Sequence, residues 1–292
     1  MSTLEVEVDT LGRSIELFYE DAGYGFPVVL SHGWPLDHTM WEEQRAALLD
    51  NGCRVITYDR RGFGSSSRPQ GSYDYNRFAD DLAALLQHLD LRDVTLVGFS
   101  MGAGEVVRYM VRHLGQRVAR LALVSGIVPS LRPSPGDAEE GIDERVFLRM
   151  AADIRADRFA FAKWFTQQLF EADREFMVSQ ARKDWIQSQI HRASTEAMLA
   201  CVQLFKEADF SDELQAIINV PTLIVHGSGD RIAPVSTTAA PLARLLQVSV
   251  YKTYEDAPHG LFATHAEELS ANLLELVRTP PSVTLPVATS FI

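Results

Sequence analysis

The chain has 292 residues, enough to bury one large core, and its 46% hydrophobic and 23% charged residues are the balance of a globular protein rather than a disordered one. Its 27 basic and 39 acidic residues leave a formal net charge of −12, which repels phosphate backbones and anionic lipid and argues against nucleic acid as a partner. No apolar run reaches the ~18 residues a membrane helix needs, the acidic start does not read as a signal peptide, and Cys53 and Cys201 are far apart with no nearby partner at ligand spacing, so a cytoplasmic protein with two reduced, buried thiols and no metal site is expected.

The first elements are two strands of period two, Leu4 to Val8 and Ile15 to Tyr19, joined through Thr10-Leu11-Gly12-Arg13. Such alternation predicts an antiparallel hairpin with one wet face at an edge of the sheet. The next strand candidates, Val28–Leu30, Val55–Tyr58, Val94–Val97, Leu121–Val124 and Leu223–Val225, are nearly continuous apolar runs, as in strands covered on both faces. Helical stripes lie between them, with Phe78, Leu82, Leu85, Leu86 and Leu89 on one and Val106, Val107, Met110 and Val111 on another. The alternation predicts a mainly parallel sheet with helices on both faces.

From residue 128 the rhythm breaks. A Pro-rich link, Pro129 to Gly136, leads into helical stripes rich in aromatics (Phe147, Phe159, Phe161, Trp164, Phe165, Phe170, Trp185) without a strand. The expected organisation is therefore an α/β core over residues 1–127, an inserted helical cap over 128–212, the rest of the core over 213–278 and a tail over 279–292. Within the last two, Val248 to Tyr251 reads as a further strand and Thr264 to Val277 as a closing helix. The tail, with Pro280, Pro281 and Pro286, reads as loosely held, and packing on another copy of the chain is left open, as is a homo-oligomer in general.

Candidate chemistry sits where strands end. Gly98-Phe99-Ser100-Met101-Gly102 follows a buried strand and opens a helix, the setting in which G-x-S-x-G lifts a serine oxygen above a sheet on a strained turn. A tight packed turn is the bland alternative, and the position between strand and helix favours a nucleophile. In sheets of this kind the partners follow as acid, then histidine. Leu223 to Asp230 is a buried strand ending in a glycine-rich turn, which makes Asp230 the orienting carboxylate, and Asp256-Ala257-Pro258-His259-Gly260 puts His259 on a Pro/Gly-shaped loop as the base. Asp256 reads instead as a surface turn residue, His226 as a shaper of the acid turn, and His38, His88, His113, His191 and His265 as surface or packing residues. Two N–H donors must face an oxyanion: Met101, after the serine, and Trp34 in Ser31-His32-Gly33-Trp34-Pro35-Leu36, where Gly33 permits the turn. The Trp34 indole either lines the pocket or packs behind it.

With these residues placed, the chain resembles the cofactor-free haloperoxidase and aryl-esterase branch of the α/β-hydrolases from about Leu4 to Val277. The likeness rests on His32 to Leu36 with Trp41, Tyr58 to Ser66, Gly98 to Glu105 with Val106, Arg108 and Tyr109, His226-Gly227 with Asp230 and Pro234, and Pro258-His259-Gly260 with Thr264-His265-Ala266. It departs at Ala103 and Ser228, where such proteins often carry Gly and Asp or Glu, and is weak in the cap until Asp184-Trp185. The resemblance implies an α/β-hydrolase fold and hydrolysis of small carboxylic esters through an acyl-enzyme. It also implies a perhydrolase side reaction in which peroxide replaces water and the peracid oxidises halide, with no metal or cofactor. A cap that shapes the substrate pockets makes Trp164, beside Trp34, an expected substrate-binding residue. The same triad would serve a lactonase, an amidase or a carbon–carbon bond hydrolase, and a non-catalytic ligand-binding member of the fold is the alternative from another class. Dehalogenase and epoxide hydrolase chemistry is disfavoured, because it uses a carboxylate where Ser100 stands.

Overall fold

The computed structural model describes residues 2–71, 73–132, 141–172, 176, 178–217, 219–246 and 248–281. Strands β1 (Ser2–Val8), β2 (Ser14–Gly23), β3 (Phe26–Ser31), β4 (Cys53–Tyr58), β5 (Val94–Phe99), β6 (Val118–Val124), β7 (Thr222–Gly227) and β8 (Ser249–Tyr254) form one sheet in the order β1-β2-β4-β3-β5-β6-β7-β8. The pairs β1/β2 and β2/β4 are antiparallel and all others parallel. Every residue of β5 and β7 is buried, which is why these strands read as unbroken apolar runs.

The opening hairpin is less regular than its alternation predicts. A bulge between Glu5 and Glu7 shifts the register; Glu7 meets Arg61 at 2.9 Å, and Val8 is 55% exposed. The strand expected over Val248 to Tyr251 starts one residue later and continues to Tyr254, paired with β7 along its whole length.

Helices α1 (Glu42–Asp50), α2 (Tyr75–His88) and α3 (Met101–Arg112) lie between the early strands. Asp74 caps α2 by accepting from the Arg77 N–H at 2.9 Å, and Phe78, Leu82, Leu85 and Leu86 on its inner stripe are fully buried. Each such side chain stabilises the fold by ~1.5–3 kcal/mol relative to exposure. Between β6 and β7 come α4 (Glu144–Ala156), α5 (Arg158–Leu169), α6 (Gln180–Arg192), α7 (Thr195–Glu207) and α8 (Ser211–Ala216). Side chains of Asp143, Asp157, Ser179 and Ser194 cap the first four of these. The boundary expected at residue 212 falls inside α8. Helices α9 (Ala239–Leu245), α10 (Leu261–Thr264) and α11 (Ala266–Arg278) complete the chain, so the stretch read as one closing helix is divided at His265.

Cys53 and Cys201 are buried and free. The Pro-rich link beyond residue 132 and the tail beyond residue 281 lie outside the described residues. Among the described residues no helix is long and apolar enough to cross a membrane.

Candidate active site

Ser100 stands between β5 and α3 with φ 53° and ψ −116°, a left-handed backbone that costs a non-glycine residue ~1–3 kcal/mol. Its N–H donates to the Val124 carbonyl at 2.9 Å, which anchors the turn to β6. The turn is so tight that a Cβ on Gly98 would lie 2.4 Å from the Gly102 carbonyl oxygen, backbone that cannot yield without opening the elbow. Gly98→Ala is therefore expected to lower stability by about 2–4 kcal/mol and to abolish activity, read by thermal unfolding and an ester assay. An unchanged melting temperature would show that the elbow has room to spare.

Two loops meet the elbow from the carboxyl ends of β7 and β8. The Gly229 N–H donates to Ala257 O at 3.1 Å and the Ser228 N–H to Tyr254 O at 3.0 Å, while Ser228 Oγ accepts from the Asp256 N–H at 2.8 Å. Asp256 thus serves as a turn residue, with φ 57°. The joined loops bring His259 Nδ1 to 2.7 Å from Asp230 Oδ2 and His259 Nε2 to 2.9 Å from Ser100 Oγ. A carboxylate only accepts, so Nδ1 carries the proton of a neutral ring and Nε2 is left to accept from the serine hydroxyl. All three residues are buried.

Asp230 is held on both sides. Its Oδ1 accepts from the N–H groups of Ile232 at 2.9 Å and Ala233 at 2.8 Å. His226 Nε2 donates to the Ala233 carbonyl at 2.8 Å and lies 3.1 Å from Asp230 Oδ2. Burial alone would raise the Asp230 carboxyl, but the nearby His259 and the hydrogen bonds from His226 and His259 outweigh it and hold the group well below the usual carboxylate range. His226 is a direct partner of the carboxylate, a closer part than the turn-shaping one read from its position beside Gly227.

The loop after β3 approaches the elbow from the other side. Gly33 is needed for closeness rather than for an unusual φ, since a Cβ there would lie 2.5 Å from the Phe99 ring. The backbone N–H of Trp34 donates to no acceptor among the described residues, and Met101 is the first residue of α3, where an N–H has no intrahelical acceptor. The Trp34 indole does both things left open for it. It packs edge-on against Phe161, Phe165 and Phe205 at centroid distances of 5.8, 5.1 and 5.4 Å, and it lines a cavity of about 150 Å³ that reaches Ser100. Ile127, Phe147, Met150, Phe165 and Phe205 form much of the apolar wall; Trp164, 42% exposed, is also on it, with Gln168 and Arg231 as polar members.

Beneath the elbow lies a charged group that periodicity did not reveal. Glu105, fully buried on α3, accepts from Tyr58 Oη at 2.6 Å, from Ser31 Oγ at 2.9 Å, and from Arg60 through Nε at 2.7 Å and through Nη2. Arg60 Nη2 also donates to the His32 carbonyl at 2.9 Å. The only trace in the sequence is a glutamate about one turn into an otherwise apolar helix start. Burial, with the Glu105 charge, raises the Tyr58 hydroxyl well above its ordinary value.

Among the described residues, Asp37, His38 and Asp59 are the trio close enough to hold a metal ion. Their atoms hold hydrogen bonds to one another and to neighbours: Asp59 accepts from the His38 N–H, His38 Nδ1 and the Ser65 N–H, and Asp37 accepts from Thr39 and Arg192. His38 and His113, read as surface or packing residues, are also partners of Asp59 and Asp80.

A family model described as alpha/beta hydrolase fold matches residues 27–266. The chain is 37% identical over 271 residues to non-heme chloroperoxidase CPO-A1 of Kitasatospora aureofaciens, covering 92% of this chain and 98% of that protein. It is 30% identical over 280 residues to bifunctional esterase/perhydrolase DCH of Acinetobacter calcoaceticus, covering 92% and 99%. The crystal structure of bromoperoxidase from Bacillus anthracis superposes with a TM-score of 0.90 at 38% identity, covering 95% of this chain and 99% of that one.

Proposed function

The chain belongs to the α/β-hydrolase fold family, and from that premise we propose that it is a serine hydrolase cleaving small carboxylic esters, with Ser100 as nucleophile, His259 as general base and Asp230 as the orienting carboxylate. The observation that carries this reading is the hydrogen-bonded line from Asp230 Oδ2 through both nitrogens of His259 to Ser100 Oγ, at 2.7 and 2.9 Å.

In the reaction His259 Nε2 takes the hydroxyl proton as Ser100 Oγ bonds to the ester carbonyl carbon. The Trp34 and Met101 N–H groups donate to the resulting oxyanion. The imidazolium returns its proton to the departing alcohol, leaving an acyl group on Ser100. Water, deprotonated by the same nitrogen, then releases the carboxylic acid. Hydrogen peroxide in the place of water releases a peracid, the side reaction in keeping with the names of the haloperoxidase and perhydrolase relatives. No step draws on a metal or cofactor.

A cavity of about 150 Å³ with an aromatic wall suits an acyl group on the order of a benzene ring in size. Trp164, half exposed on that wall, is assigned to substrate contact: Trp164→Ala should shift preference toward longer acyl chains, with a stability change within about 1 kcal/mol. Unchanged ratios of kcat/KM across acetate, butyrate and hexanoate esters would remove Trp164 from the substrate site.

The base step requires a neutral imidazole at His259, and Asp230, held well below the usual carboxylate range, stays ionised beside it. The reading as a whole is tested with a panel of p-nitrophenyl esters, lactones and amides, run with and without hydrogen peroxide. Ester turnover with peracid formation in peroxide is expected; turnover of lactones or amides alone would replace the ester assignment, and none at all would make this a ligand-binding member of the fold.

A further inference from the structure

Building on the reaction assigned to Ser100, we propose that His32 is a positioning residue for the oxyanion hole: its Nδ1–H holds the Gly33 carbonyl and so aims the Trp34 N–H, at the other end of the same peptide unit, at the oxyanion.

The two groups are rigidly linked. Gly33 C=O and Trp34 N–H share one planar peptide, so the direction of one fixes the direction of the other. His32 Nδ1 lies 2.9 Å from Gly33 O, and His32 Nε2 lies 3.0 Å from the Arg60 backbone nitrogen. A backbone N–H can only donate and a carbonyl can only accept. Nε2 is therefore the acceptor, and the proton of a neutral ring resides on Nδ1, facing Gly33.

Three features keep the ring in that state. His32 is fully buried, and burial together with the Arg60 charge lowers its pKa to about 3, so the ring is neutral wherever the enzyme works. Phe63 closes on it edge-on at 5.7 Å. Arg60, whose N–H the ring accepts, is itself bound through its side chain to Glu105 on α3, the helix that begins at Met101. One buried network thus sets both proposed oxyanion donors, Trp34 through His32 and Met101 through α3. A hydrogen bond to a carbonyl also polarises its amide, making the N–H at the other end a stronger donor. The Leu36 N–H holds Gly33 O as well, at 3.0 Å, so loss of His32 should loosen the peptide rather than free it.

Two near-isosteric variants separate this role from simple packing. The amide of His32→Asn places a donor near Nδ1, whereas that of His32→Gln places its polar atoms near Nε2. Deleting an entire oxyanion donor costs about 10²–10³ in kcat, so misaiming one should cost about tenfold to a hundredfold. His32→Gln is expected to lose that much in kcat with KM for p-nitrophenyl acetate within about threefold, and to bind a small boronic acid, a tetrahedral mimic, correspondingly more weakly. His32→Asn is expected to stay within about fivefold of wild type. His32→Gln with full kcat and boronate affinity, or His32→Asn falling as far as His32→Gln, would overturn the proposal. Nitrogen-15 NMR of the wild-type imidazole decides the matter even if a variant fails to fold: a proton on Nδ1 is expected, and a proton on Nε2 would end it. Failure of the reaction itself is read separately, as ester turnover that survives Ser100→Ala.

Discussion

Ser100→Ala is expected to lower kcat/KM for p-nitrophenyl acetate by roughly four to six orders of magnitude while leaving the melting temperature within a few degrees of wild type. The substitution removes one oxygen and keeps the Cβ, so the backbone at φ 53° and the bond from the Ser100 N–H to Val124 O survive. What disappears is the hydroxyl that His259 Nε2 faces at 2.9 Å. The residual rate is what binding and the N–H donors of Trp34 and Met101 supply to attack by water. A loss smaller than about tenfold would mean that another nucleophile does the work.

Asp230→Asn is expected to cost about 10³–10⁴ in kcat, and the reason lies in the donors around the carboxylate. Oδ1 receives two backbone N–H groups, from Ile232 and Ala233, and Oδ2 receives the His259 Nδ1–H. An asparagine must turn its NH₂ toward one of these sides. Facing the backbone it opposes two fixed donors, so it settles toward His259 and forces the proton from Nδ1 to Nε2. The nitrogen beside Ser100 Oγ then carries a proton and can no longer accept one. A kcat within tenfold of wild type would show that Asp230 does not set the tautomer. The stability signature has its own sign. A carboxylate depressed in the folded state stabilises fully above its unfolded value of about 3.9, and the effect is lost as pH falls through the folded value. The advantage of wild type over Asp230→Asn should therefore be full at neutral pH and shrink only below about pH 4.

The fold was legible where periodicity reports burial directly. Strands β3 to β7 carry apolar residues on both faces, and the Phe78 to Leu86 stripe faces the core, because the same covering layer that buries a residue selects its type. The opening hairpin was readable as two strands, but nothing local announces the bulge at Glu5/Glu7 or the bond from Arg61, distant in sequence, to Glu7. The candidate site was legible for a related reason: Gly98, Gly102 and the Pro258-His259-Gly260 loop mark backbone constraints that leave a local trace. Partnerships made across the fold leave none. His38 beside Asp59 and the Glu105–Arg60 pair under the elbow each join residues whose neighbours in sequence look ordinary. Trp34 belongs to both kinds, since its place after His32-Gly33 is a local signal and its three aromatic neighbours on α5 and α7 are not.

The most direct test is to treat the protein with a fluorophosphonate and map the modified peptide by mass spectrometry. One adduct is predicted, on the oxygen of Ser100, forming far more slowly in His259→Ala and not at all in Ser100→Ala. An adduct on a different side chain, or ester turnover that continues while Ser100 is fully modified, would contradict the account.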